Sequence, residues 1–332
     1  MTLLSIGWSA RRENEFTPYA CSGLLPGRVV SEHRTHHRVL TDSAEVTAVV
    51  TNRVRNTAAQ RSELPGVGDF VAIRLAIDDG PATIEVVLPR VNALVRKASG
   101  ERRPQLLAAN IDVALIVTAM DGDFNLLRLK RYLALVNAGG AVPVFVLNKA
   151  DLPTDVIGAT DQLLTNAPGI AVHAISARDG DGVYALEQYF ESNQTVGLIG
   201  SSGVGKSTLT NQLLGREAQL TQSVRTHDNR GRHTTTHRQL FERADGGAII
   251  DTPGMRELEV WNTPTNAESN FEDIVALGTQ CRFRNCRHES EPACAVNAAV
   301  ALGEMDASHV ADYLEIASAR RRMKMVSRSV NW

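Results

Sequence analysis

The stretch Gly200-Ser201-Ser202-Gly203-Val204-Gly205-Lys206-Ser207-Thr208 has the glycines, lysine and hydroxyls that a phosphate cradle requires, at the spacing it requires. Glycines let backbone N–H groups converge on phosphate oxygens, Lys206 can reach the β and γ phosphates, and the Ser207 hydroxyl can ligate Mg²⁺. The apolar run Val196-Gly-Leu-Ile199 precedes it, so the loop reads as a strand-to-helix connection, which is the context this chemistry needs. Asp251-Thr-Pro-Gly254 follows a second run, Ala248-Ile-Ile250. An aspartate at that strand end can hold the Mg²⁺ shell, and the Gly254 N–H can meet a γ-phosphate.

Base recognition has its own candidates. Asn148-Lys149-Ala150-Asp151 closes another apolar run, and Asp151 can accept two hydrogen bonds from guanine N1–H and its exocyclic amine. Adenine cannot supply that pair, so it would leave a buried carboxylate unpaired. Ser176-Ala177 follows the next run, where the Ala177 N–H is placed to meet guanine O6. A third cluster is Cys281-x4-Cys286-x-His288-x5-Cys294, a Cys3His set sufficient for a closed tetrahedral Zn²⁺ site. Four protein ligands leave no open position, so that metal would be structural. Cys21 is left over and is assigned no role.

These residues need elements to hold them. Val113–Val117, Val142–Leu147, Ala171–Ile175, Val196–Ile199 and Gly247–Ile250 are continuous apolar runs separated by segments long enough for crossover helices. That pattern predicts an α/β domain with a mostly parallel sheet buried on both faces. Earlier, Val46–Thr51, Asp69–Arg74 and Thr83–Leu88 are short β-type runs between Pro-Gly, Gly-Asp and Asp-Asp-Gly turns, most economically a five-stranded barrel of the OB type. The expected division is an N-terminal extension over 1–22, a barrel over 23–97, a GTPase domain over 98–262 and a helical zinc-binding domain over 263–332. The extension is expected to be poorly ordered, and Ala98–Asn110 to be a linker.

Length and composition agree with that reading. A chain of 332 residues is long for one core, so two or three domains are expected. No apolar run approaches the ~20 residues of a membrane span, and charges in Met1–Glu15 exclude a signal peptide there. A cytosolic protein is expected, in which clustered cysteines point to metal rather than disulfides. Net charge is −2, so nucleic-acid contact must come from local patches. Arg28 to Arg61 holds six arginines against three acids, and Arg320 to Arg328 holds five basic residues and no acid. Aromatics are 5% of the chain and Phe70 alone falls in the barrel, so phosphate and shape recognition should dominate over base stacking.

The motifs are those of translation-factor GTPases, in a rotated order. The guanine motifs come before the phosphate loop, as a circular permutation would place them. The permutation, the barrel in front and the Cys/His module behind together resemble the ribosome small subunit-dependent GTPase A family. Leu64-Pro-Gly-Val-Gly-Asp69 and Gly231-Arg-His-Thr-Thr-Thr236 add to the resemblance. It implies binding of the 30S subunit and its ribosomal RNA, with a late role in its assembly, and it supports Zn²⁺ at the Cys3His set. The fold class expected is therefore a circularly permuted P-loop GTPase domain with an N-terminal OB-type barrel and a C-terminal helical zinc-binding domain. Gly231–Thr236 lies where a switch belongs, and one of Thr234 and Thr235 would bind Mg²⁺ and sense the γ-phosphate.

Met255 stands where many GTPases carry a water-orienting glutamine, so intrinsic hydrolysis should be slow. His233 is the candidate substitute, a structural histidine being the alternative. A monomer is expected. Two other functions compete: a nucleotide kinase or ATPase, and a GTP-regulated switch acting on another RNA or protein. Asp151→Asn separates the first from a GTPase, because the amide should shift preference from guanosine to xanthosine nucleotides. Competition binding reads the shift, and undiminished preference for GDP over XDP would remove Asp151 from base recognition.

Overall fold

The computed structural model describes residues 2–78, 80–97, 104–215, 238–251, 272–283, 286–289, 291–302, 305, 310 and 313–314. They fall in two compact units, divided between Val260 and Trp261. In the first, the leading residues are ordered, against the expectation of a poorly ordered extension. A 3-10 turn, Leu3–Ile6, and helix α1 (Ala10–Ala20) bury Leu3, Ile6, Arg12 and Phe16. Leu3 and Ile6 are three apart and Arg12 and Phe16 four apart, so each short element is anchored by two side chains on one of its faces.

The barrel follows as β1 (Leu25–Glu32), β2 (His37–Leu40), β3 (Glu45–Val50), helix α2 (Asn52–Thr57), β4 (Phe70–Arg74) and β5 (Ala82–Val87). Its strand order is β1-β2-β3-β5-β4, and β4 pairs back with β1, so five strands close on themselves. The β3–β5 pair is parallel and the other barrel pairs are antiparallel. Val29, Val39, Ala48, Val71, Ile73 and Ile84 fill the inside. Closure removes the unpaired edges of a short sheet.

Strands β6 (Ala93–Lys97) and β7 (Pro104–Ala109) form an antiparallel pair. The segment expected as a linker therefore contains a strand, which begins at Pro104, a position where no ladder N–H is missed. The α/β layer comprises β8 (Val113–Ala119), α3 (Leu126–Gly139), β9 (Val142–Asn148), α4 (Val156–Asn166), β10 (Ala171–Ala174), β11 (Thr195–Ile199), α5 (Lys206–Leu214), β12 (Gln239–Glu242) and β13 (Ala248–Asp251). The order is β10-β9-β8-β11-β13-β12, parallel except for β12. Strand β12 also pairs with β1 through Ser31 and Gln239, so the sheet runs on into the barrel.

One side chain joins these parts. Arg28 is fully buried and donates to Gly68 O at 3.2 Å, Asn110 O at 3.1 Å, Thr195 Oγ1 at 2.9 Å and Ile6 O. Its guanidinium lies 4.6 Å from the centre of the Phe70 ring, and that of Arg12 lies 4.7 Å from it. Burial pushes the Arg28 pKa down to about 9, with Asp112 pulling it back up, so the group stays charged at neutral pH. Arg28 and Phe70 are therefore interior: the first is lost to the surface basic patch, and the barrel's one aromatic ring is 2% exposed. Gly68 makes the approach possible, with φ 92° and a position where a Cβ would stand 2.1 Å from Ala109 O.

The second unit contains α6 (Glu272–Gly278) and α7 (Ala295–Ala301). Among the described residues no helix is long and apolar enough to cross a membrane. Replacing Arg28 by Met removes donors from carbonyls that remain buried, and a loss of about 3 kcal/mol or more is expected. Urea denaturation of the full chain measures it. A loss near zero would mean that the barrel and the α/β layer are held by strand pairing and apolar contact alone.

Candidate functional site

Parallel strands present their C-terminal ends on one edge, so the loops after β8, β9, β10 and β11 converge there, beside the end of β13. The phosphate loop leaves β11 at Gly200 and enters α5 through Gly205, at φ 94°. Lys206 is the first helical residue, 7% exposed, and its Nζ donates to Gly200 O at 2.8 Å and Ser201 O at 2.6 Å. Burial lowers its pKa to about 8, while Asp251 and Asp123 pull it up. Asp251 is itself buried at the end of β13, where it pairs in register with Leu198 of β11. Ser201 and Val204 are buried, whereas Ser202, Ser207 and Thr208 are half-buried and Gly203 is exposed.

Asn148 is the cross-link of the site. Its Nδ2 donates to Val204 O at 2.8 Å, and its Oδ1 accepts from Ala177 N at 2.9 Å. One side chain thus fixes the phosphate loop to the Ser176-Ala177 turn. A Cβ on Gly205 would stand 2.3 Å from Asn148 Nδ2, so this glycine is needed for the contact as well as for its backbone angle. Lys149, at φ 62°, turns back so that its Nζ donates to Gly203 O at 3.0 Å and to Asp121. Ala150 N donates to Ile175 O at 3.0 Å, tying the two base-recognition turns together. Ser176 is buried, and its hydroxyl donates to Asp179 Oδ2 at 2.9 Å.

Two details differ from the sequence reading. The Ala177 N–H, expected to face guanine O6, donates to Asn148 Oδ1 instead, because the turn brings it under the asparagine. The Asp151 carboxylate stands 3.0 Å from Arg178 Nη2, an ion pair that spacing alone does not reveal. Asp121 and Asp123 were also missed. They lie in the loop after β8, where Asp121 pairs with Lys149 and Asp123 acts on Lys206, and the signal was an acidic Asp121-Gly-Asp123 directly after a buried strand. His233, Thr234, Thr235 and Gly254, together with Met255, lie outside the described residues.

In the second unit Cys281, Cys286, His288 and Cys294 bring their ligand atoms within 4.8 Å of one another. Cys281 Sγ is 3.9 Å from Cys294 Sγ, and His288 Nδ1 lies 3.5 Å and 3.3 Å from these two sulfurs. A tetrahedron with metal–sulfur bonds of ~2.3 Å has edges of ~3.8 Å, so the donor set fits a zinc-type site. Cys294 also caps α7 and accepts from Asn297 N at 3.5 Å.

A phosphate loop, a guanine-type base turn tied to it by Asn148, and a strand-end aspartate on a permuted parallel sheet define a circularly permuted GTPase. The family model described as RsgA GTPase matches residues 87–261. The chain is 43% identical over 340 residues to the small ribosomal subunit biogenesis GTPase RsgA of Opitutus terrae, covering 98% of this chain and 93% of that one. It is 41% identical to RsgA 2 of Lactiplantibacillus plantarum, covering 89% of this chain and 83% of that one. Among solved structures it resembles YjeQ from Thermotoga maritima, with TM-score 0.55, 26% identity and coverage of 88% and 97%. It also resembles YloQ, a circularly permuted GTPase, with TM-score 0.51, 25% identity and coverage of 90% and 96%. The chain belongs to the RsgA GTPase family.

The Lys206 environment sets a pH dependence. A phosphate group in the loop raises the pKa of the amine again, so binding favours its protonated form. Affinity for GDP should therefore fall as pH rises through about 8, by up to tenfold per pH unit until the bound-state pKa is reached. Calorimetric titrations at rising pH test this, with Lys206→Met as the flat reference. Equal affinity across the range would mean that the lysine charge does not contribute to phosphate binding.

Proposed function

We propose that this chain is a GTP hydrolase that binds the 30S ribosomal subunit and acts in its late maturation, coupling ribosome-stimulated hydrolysis to its own release or that of other assembly factors. The observation that carries the reading is Asn148, which locks a guanine-type base turn to a phosphate loop in a chain whose relatives bear the name small ribosomal subunit biogenesis GTPase. Asp151 and the Ser176-Ala177 turn would select guanine, and Gly200 to Thr208 would hold the phosphates. Ser207, one of Thr234 and Thr235, and Asp251 would hold Mg²⁺, which supplies charge neutralisation at the γ-phosphate.

Zinc at Cys281, Cys286, His288 and Cys294 would be structural, since those four side chains complete its coordination. The ribosomal RNA would be gripped through phosphates, because the barrel's Phe70 is buried and cannot stack on a base. The protein would act in the cytoplasm as a monomer. Met255 leaves hydrolysis slow until His233, positioned by the partner, orients the water.

GTP turnover measured with purified 30S, 50S and 70S particles tests this reading. Small-subunit particles should accelerate turnover strongly, and His233→Ala should keep GTP binding while losing the acceleration. Absence of stimulation by any particle containing the small subunit would sink the ribosomal assignment. Full stimulation of the His233→Ala variant would remove that histidine from the mechanism.

A further inference from the structure

Three arginines meet where the barrel, the β6–β7 pair and β12 adjoin. Arg238 directly precedes β12 with a side chain 14% exposed, and its Nη1 is 3.8 Å from Glu32 Oε2, too long for a hydrogen bond. Its Nε is buried and has no hydrogen-bond acceptor among the described residues. Arg96 faces Gln105 across the β6–β7 ladder and donates its Nε to Gln105 Oε1 at 3.2 Å. Arg61 is exposed on the 3-10 turn Arg61–Glu63, which packs on β7. Leu106 of β7 and Glu32 Oε2 both lie beside Gly66, so the end of β1 meets β7 there.

The charge there is unbalanced. Burial pushes the Arg238 pKa down, Glu32 opposes that, and Arg96 and Arg61 add to it. Among the described residues Glu32 is the one ion-pair partner of Arg238, whose Nε is a buried donor without an acceptor. A cost of that kind is relieved by an oxyanion that accepts from several guanidinium groups at once. We propose that Arg61, Arg96 and Arg238 bind a phosphodiester of structured RNA, an assignment that rests on the RNA-partner reading above.

Its place in the fold gives the site a role beyond grip. Arg238 stands two residues after Thr236, and the next residue, Gln239, is in register with both Ser31 of the barrel and Asp251 of β13. A phosphate seated on Arg238 would fix the end of the segment that carries Thr234 and Thr235, at a point already tied to the magnesium-binding strand. The same ligand would lie beside the β1–β2 turn, where Arg34 is exposed.

Fluorescence anisotropy of the full chain with a labelled RNA duplex of ~16 base pairs, titrated at several salt concentrations, tests the site. Arg61→Gln and Arg96→Gln, both outside the core, should each weaken binding about three- to tenfold and reduce the salt slope by about one. Glu32→Gln should act in the opposite direction and tighten binding several-fold, because it removes the carboxylate paired with Arg238. The proposal is overturned by a wild-type chain that does not bind the duplex, by arginine variants with unchanged affinity and slope, or by a Glu32→Gln variant that binds more weakly. Failure of the ribosomal reading would show separately, as duplex binding that keeps this pattern while no particle stimulates turnover.

Discussion

The parallel ladder through β9, β8, β11 and β13 is the constraint on which the site depends. Val196 pairs in register with both Val113 and Ile249, and Ala119 pairs with Asn148. Those registers place Asn148, Ile199 and Asp251 at one edge, close enough for Asn148 and Lys149 to bond across to the phosphate loop. Strand pairing is indifferent to the order in which the strands are synthesised. A chain that makes its base-recognition strands first and its phosphate-loop strand later can therefore build the same edge, provided that β11 inserts between β8 and β13.

Two buried polar side chains refine what the ladder sets. Asn148 spends its donor on Val204 O and its acceptor on the Ala177 N–H, and so fixes the distance between two loops that separate strands would otherwise leave free. Arg28 does the same at larger scale, joining Ile6, Gly68, Asn110 and Thr195 from four separate stretches of the chain. Each is costly to bury and each is satisfied by several partners, which is the condition under which a buried polar group specifies geometry rather than weakens the core. Thr195 opens β11, so the position of the barrel and that of the phosphate-loop strand are set by one guanidinium.

The sequence made some of this legible and concealed the rest for identifiable reasons. Strands β8, β9, β11 and β13 are buried on both faces and announce themselves as apolar runs, and the glycine-rich loop carries its chemistry in residue type alone. The N-terminal turn and α1 were misjudged because their anchors, Leu3, Ile6, Arg12 and Phe16, include a buried arginine that reads as surface charge. Strand β7 was hidden by Pro104 and by the arginines before it, and β12 by its brevity, only Gln239–Glu242. Arg28 counted as part of a basic patch because sequence gives charge without depth. In the site, pairings between distant residues, such as Asp151 with Arg178 and Asp121 with Lys149, depend on loop geometry that residue spacing does not encode.

Strand β12 shows how the permuted order joins the α/β sheet to the barrel. It runs antiparallel to β13 on one side and pairs with β1 on the other, and Gln239 takes part in both ladders. A strand held on both edges cannot slide by one residue without exchanging Leu240 and Phe241, which pack in different core clusters on its two faces. Gln239 is therefore a fixed point that touches the barrel and the Asp251 strand together. Through that strand the barrel and the edge that ends at Asp251 form one continuous frame.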